Sequence, residues 1–247
     1  MNKFDDKEYS NYWHSVHSKS VDDLAAVCFP DKPLYFNLFF DRIQKHVIKM
    51  YLEKEHISLT RKRLLDIGCG RGRWLSFFQN KYNADVTGID LSPIAVQASK
   101  EKGFNALEGS IIKMPFENCY FDFINSTTVL LHLPYDIKEK AISEIARVLK
   151  PGGIAILIES TWHDPSPHVY GLNIVNWDEM FRKYNMRLVH KSGHYFNFFR
   201  RKLPTLMPFR DFLSIYLDYP LEYMLMHFYY SRQSNFALQH FMVFEKC

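Results

Sequence analysis

The feature that most constrains this chain is Leu64-Leu65-Asp66-Ile67 running into Gly68-Cys69-Gly70-Arg71-Gly72 and then Arg73-Trp74-Leu75. A short apolar run, a glycine turn and a helical start read as strand, loop and helix. The glycines admit positive φ and close approach of a ligand to the backbone, and the helix N-terminus favours a carboxylate or phosphate. The spacing is GxGxG, and Arg73 stands where a dinucleotide fingerprint has its third glycine, which disfavours a nicotinamide-dependent oxidoreductase. Asp90 ends the next expected strand, where a carboxylate can accept both hydroxyls of an adenosine ribose. The plainer alternatives are a bare strand-to-helix turn and, for Asp90, a charge favouring the next helix.

The surrounding pattern extends this unit into a doubly wound α/β sheet. Strands are expected at 64–67, 85–89, 105–108, 121–126, 154–159, 186–190 and, loosely, 236–244. Ser92 suits an N-cap, Pro93 the first helical turn and Gly103 a terminator. Over 137–150, Ala141, Ile142, Ile145, Val148 and Leu149 form one apolar stripe, stopped by Pro151-Gly152-Gly153. A further helix is expected at 177–184. The fold predicted is a Rossmann-like, seven-stranded sheet with an N-terminal helical segment at 1–60 and a core domain at 61–247. The cofactor core spans 61–160, and an aromatic-rich helical insertion at about 195–233 precedes the last strand. Within the first 60 residues, helices are expected at 22–27 and 34–52.

Composition removes whole classes. Charged residues make up 23% and hydrophobic residues 47%, so the chain is not disordered. Four cysteines without a CxxC pair give neither a disulfide scaffold nor a zinc site. The charge of +4 is small and scattered, so nucleic acid is not indicated. The polar start is no signal peptide, and every long window carries charge, so stable membrane insertion is not expected. A cytoplasmic protein, monomer or homodimer, is the default. His163, Asp164 and His168 lack ligand spacing, so no metal is expected.

Five segments, in order and spacing, resemble the class I S-adenosylmethionine-dependent methyltransferases. They are LLDIGCGRGRWL, the acid in GIDLS, EGSIIKMPF, FDFINSTTVLLHL and ARVLKPGGIAIL. Their subgroup is similar to the small-molecule and quinone enzymes. The resemblance implies S-adenosyl-L-methionine as cofactor and S-adenosyl-L-homocysteine as product. It places Asp66, Gly68, Gly70 and Gly72 around the methionine part and Asp90 on the ribose. Leu91 packs on adenine, and Ile111 gives it a backbone N–H and an apolar wall. Ser110 stands where many relatives have an Asp toward the adenine amino group, which puts that contact in doubt. Ser126 and Thr127 line the methionine side. His132 matches a His that stands near the sulfonium in some relatives and is the candidate base; a buried structural His is the plainer reading.

The implied activity is methyl transfer to O, N or C of a small acceptor. The strand ending Asn125-Ser126-Thr127-Thr128 lacks the Pro-Pro-aromatic turn of adenine-amino enzymes, and no Pro-Cys supports a covalent cytosine route. The alternative is a catalytically silent, S-adenosylmethionine-binding partner or regulatory protein. Arg71 and Arg73 could meet the cofactor carboxylate or remain solvated. Aromatic residues reach 16% and crowd into the insertion. Phe212 and Tyr223 there, with Tyr12 and Trp13 near the N-terminus, are expected to wall a hydrophobic or aromatic acceptor; a lid core, a dimer interface or a peripheral membrane contact are the other uses.

Overall fold

The structure, a computed structural model, describes residues 6–20, 23–24, 28–29, 32–161, 169–203, 209–230, 232 and 237–247. Seven strands, β1 (Arg63–Ile67), β2 (Asp85–Asp90), β3 (Ala106–Glu108), β4 (Phe121–Thr127), β5 (Leu149–Ser160), β6 (Met186–His194) and β7 (Gln239–Lys246), form one sheet. Their order is β3-β2-β1-β4-β5-β7-β6. Strands β1 to β5 pair in parallel, and β7 runs antiparallel between β5 and β6. The winding reverses between β1 and β4, and ligands of such sheets sit outside the carboxyl ends of the strands at that point.

Both sheet faces are covered, as the continuous apolar strands require. On one face, α2 (Leu34–Lys54) and α3 (Arg73–Tyr82) bring Phe39, Ile43, Val47, Leu75 and Phe78 against Leu64, Val86, Ile156 and Phe241. On the other, α5 (Tyr135–Val148) and α6 (Ile174–Arg182) bring Ile142, Ile145, Trp177 and Phe181 against Leu65, Ile124, Leu157 and Phe244. Leu64 and Leu65 entering opposite cores is the two-residue period of a strand made visible. Phe181 and Phe244 stack with centroids 3.9 Å apart.

The doubly wound sheet and all seven strands appear near the expected positions, with informative differences. β5 is longer than expected, because Leu149 already pairs with Phe121 and β7 pairs along Ile154 to Ser160. Ser92 precedes α4 (Pro93–Glu101) as the N-cap residue, yet its side chain makes no cap bond. Gly103, at φ +83, ends that helix. The helix expected at 22–27 falls mostly outside the described residues; Asp23 and Leu24 lie in a turn. Within the expected N-terminal helical segment, α1 (Asp6–Lys19) lies outside the two helix ranges read from periodicity. Its apolar stripe of Tyr9, Trp13 and Val16 has helical spacing but is narrow within a polar segment.

The end of β5 fixes the loop after β4. Glu159, fully buried, accepts N–H bonds from Val129 (3.3 Å) and Leu130 (3.1 Å) on Oε1 and from Leu131 (3.1 Å) on Oε2. These are the opening N–H groups of a single 3-10 turn, Leu130–His132, which would otherwise be orphaned. Burial pushes the Glu159 carboxyl up to about 7, against these bonds and the nearby Lys138. Lys138, also fully buried, donates to the carbonyls of Leu133 and Tyr170 (2.7 Å), and burial lowers it to about 8.

A carboxyl raised in the folded state contributes stability at low pH and loses it as pH rises through its folded pKa. Glu159→Gln does not titrate. The stability of this variant relative to the parent should therefore improve by about 2 kcal/mol between pH 5.5 and 8.5. Urea unfolding at both pH values measures it, and a pH-independent difference would show that the carboxyl is not raised.

Candidate functional site

The carboxyl ends of β1, β2, β4 and β5 border a cavity of about 530 Å³, a size suited to a cofactor or small ligand. Asp90 is its one carboxylate among the described residues. Oδ2 accepts the N–H of Gly70 (2.8 Å) and Oδ1 the N–H of Ser92 (2.8 Å). The Leu91 N–H also bonds this carboxylate, and the lone-pair capacity left over suits the hydroxyl donors of a ribose diol. Burial raises the Asp90 pKa, opposed chiefly by the Ser92 N–H and by His17. His17 lies in the same wall, and burial lowers its pKa while the Asp90 carboxylate opposes the shift.

The glycine loop is shaped for close approach. Gly68, Gly70 and Gly72 all take positive φ. A Cβ on Gly68 would lie 2.4 Å from Cγ2 of Val129, itself a cavity residue. Only glycine fits there without displacing the wall.

The two arginines after the loop are used by the protein. Arg71 donates to the His17 carbonyl (2.6 Å) and pairs with Asp23 (3.3 Å). Arg73 donates to Gln44 (2.9 Å) and Asp41 (3.2 Å) on α2. They tie the N-terminal helices to the loop, in place of the cofactor contact considered from sequence.

Of the residues singled out in the sequence, Gly68, Gly70, Asp90, Leu91, Ile111, Thr127, His132, Tyr12 and Trp13 share this cavity. Trp13 meets His132 edge-on at 4.8 Å between centroids. Asp66, Gly72, Ser110 and Ser126 do not line it. Asp66 is fully buried under the loop, where Asn125 donates to Oδ1 (2.7 Å) and burial lifts the carboxyl to about 7. Gly72 instead begins α3, and a Cβ there would meet Phe104 at 2.8 Å. Gly109 and Ile111 flank the cavity where Ser110 was expected.

The expected roof is corrected. Phe212 and Tyr223 belong to α8 (Arg210–Phe228), which follows the short α7 (Phe198–Lys202), and neither reaches the cavity. Phe212 is 62% exposed and meets Tyr35, while Tyr223 packs on His46 at 4.2 Å. The reason is that α8 packs along α2, so its aromatic side chains either fill that seam or face outward.

From the insertion, Tyr195 and Asn197 do reach the cavity. The aromatic wall of the cavity instead comes from three segments, with Phe29 to Phe40 at 4.9 Å and Phe40 to Tyr195 at 4.8 Å. Sequence reading missed Tyr9, Val16, Phe29, Phe40 and Gln239 as cavity residues. The helical spacing of Tyr9, Trp13 and Val16 was the available signal; for the others only tertiary contact reveals the role. Among the described residues no cluster of His, Cys, Asp or Glu could hold a metal, and no helix is long and apolar enough to cross a membrane. The His163, Asp164 and His168 group lies outside the described residues.

Comparison with known proteins agrees with this geometry. A methyltransferase-domain profile matches residues 65–157. Demethylmenaquinone methyltransferase of Staphylococcus haemolyticus (strain JCSC1435) is 30% identical over 125 residues, covering 48% of this chain and 49% of the relative. The Staphylococcus aureus (strain MRSA252) protein of the same name is 31% identical over 106 residues, 40% of this chain and 43% of its own. The chain thus spans about half the length of the curated relatives it matches. Among solved structures, geranyl diphosphate C-methyltransferase from Streptomyces coelicolor A3(2) aligns with a TM-score of 0.65 at 14% identity, over 98% of each chain. Residues 65–157, which carry the glycine loop and Asp90, are thus similar to a methyltransferase domain.

Proposed function

We propose that the chain transfers a methyl group from S-adenosyl-L-methionine to O, N or C of a small, uncharged acceptor with an apolar or aromatic body, by direct in-line displacement. The observation that carries this reading is one continuous cavity. A diol-binding carboxylate, Asp90, stands at one part of it and the Phe29, Phe40 and Tyr195 wall at another.

The residues present suit that cofactor. Asp90 would hold the ribose, Leu91 and Ile111 the adenine, and the Gly68 to Gly70 backbone the methionine part. When bound, the cofactor supplies an electrophilic methyl on its sulfonium. The protein's part is then mainly placement, which can contribute up to ~7–11 kcal/mol in favourable intramolecular cases. Tyr9, Trp13 and Val16 of α1 line the cavity. His132 is positioned in the wall to take a proton from an acceptor that arrives protonated. Among the described residues no lysine or arginine lines the cavity, which speaks against an anionic acceptor such as a diphosphate.

Turnover to S-adenosyl-L-homocysteine with a metabolite extract tests the reading. Cofactor binding without turnover would favour a silent cofactor-binding protein instead.

Asp90→Ala removes the diol partner and the anchor of the Gly70 N–H. The dissociation constant for S-adenosyl-L-methionine should rise about 100-fold by calorimetry, and retained affinity would refute the ribose assignment.

Trp13→Ala should raise the acceptor KM severalfold, whereas Phe212→Ala should leave both acceptor and cofactor kinetics unchanged. The reverse result would restore the insertion as the acceptor roof.

A further inference from the structure

The cavity carries a polar spot whose hydrogen-bonding sense is fixed from outside it. Gln239, at the start of β7, lines the cavity beside Ser160, its register partner on β5. Behind it runs a buried relay. Arg73 Nη1 donates to Gln44 Oε1 (2.9 Å), and Gln44 Nε2 donates to Gln239 Oε1 (3.1 Å). The same guanidinium is held by Asp41 (3.2 Å), which is in turn paired with Lys45 (2.7 Å). Gln44 is fully buried and Gln239 nearly so.

The chemistry of the relay leaves no freedom in its direction. A guanidinium is a donor only, so the Gln44 atom facing it must be the carbonyl oxygen. The Gln44 amide nitrogen then faces Gln239, and the Gln239 atom that meets it must also be the oxygen. Gln239 is left with both amide hydrogens uncommitted to the relay. His194, its register partner on β6, is fully buried and neutral, its pKa lowered by burial to about 3. A neutral imidazole can take at most one of those hydrogens. The remaining donor belongs to a wall that also holds Ser160, Asn197, Phe29, Phe40, Tyr195 and Leu238.

We infer that Gln239 is a specificity-determining residue that donates a hydrogen bond to a neutral carbonyl or hydroxyl oxygen of the acceptor, oriented for this by Arg73 through Gln44. The inference deepens the proposed function and rests on it: it narrows the acceptor to an apolar or aromatic body bearing an uncharged oxygen. An acceptor without that oxygen would leave the donor buried and unpaired, the situation that gives polar sites their discrimination.

The test uses two probes of one skeleton, 1-tetralone, a ketone, and tetralin, its hydrocarbon counterpart. Binding of each is measured by calorimetry to the full chain saturated with S-adenosyl-L-homocysteine. The parent should bind the ketone about five- to tenfold more tightly, the worth of one neutral hydrogen bond. Gln239→Met, which keeps length and loses the donor, should bring the two probes within about twofold of each other. Gln44→Met, which frees the direction of the relay, should also diminish the preference. S-adenosyl-L-homocysteine affinity should be unchanged in both variants, which a general loss of folding would not allow.

A parent with no ketone preference, or a Gln239→Met variant that retains it, overturns the inference while leaving the cofactor reading intact. Failure of the parent to bind S-adenosyl-L-homocysteine overturns both.

Discussion

The site depends on one carboxylate. Asp90 closes β2 and spends one interaction on the glycine loop and one on the entry to α4, through the N–H groups of Gly70 and Ser92. The loop after β1 is thereby fixed against the end of β2. Tightly held amides at 2.8 Å orient both oxygens, and a ligand diol meets a group that needs no rearrangement. The same burial that orients Asp90 makes its charge costly, and His17 with the N–H groups of Ser92, Gly70 and Leu91 offsets that cost. Thus α1 completes the electrostatics of the site as well as covering it.

A second carboxylate plays the corresponding role on the other strand set. Glu159 gathers three N–H groups of the turn that carries Val129, Leu131 and His132 into the cavity wall. The candidate base therefore stands on a short segment stabilised by hydrogen bonds from below. Gln44 and Arg73 repeat the device a third time on the acceptor side. In the second and third cases a buried polar group outside the cavity decides what an atom inside it presents. Such arrangements fix geometry because the alternative, an unpaired buried polar group, costs about 1–3 kcal/mol.

The aromatic surplus divides between two uses. Phe29, Phe40 and Tyr195 make cavity wall, from three separate parts of the chain. Phe39, Tyr219 and Tyr223 fill the seam between α2 and α8. Phe209, Phe212 and Tyr216 remain largely exposed on the insertion. Crowding in the sequence was thus a poor guide to the acceptor wall, since neighbours on one helix point in different directions while the wall is assembled across distant segments.

Local sequence determined what local physics controls. The apolar runs gave the strands, Pro93 and Gly103 bounded a helix, and the spacing of glycines with Asp90 marked the cofactor half of the site. There the ligand-facing atoms are backbone groups or lie at strand ends, so the residues in one loop suffice. The aromatic half of the cavity was not legible, because it is built from side chains far apart in sequence. Gln44 and Gln239 carry no motif, and their relay exists only because α2 lies over the start of β7. Phe212 and Tyr223 had the composition of a pocket, and only the packing of α8 along α2 turned them away from it. The chain's order determined the glycine-loop side of the cavity by local backbone geometry; the tertiary structure alone decided its aromatic side, because burial and hydrogen-bond direction are properties of neighbours that the sequence does not place together.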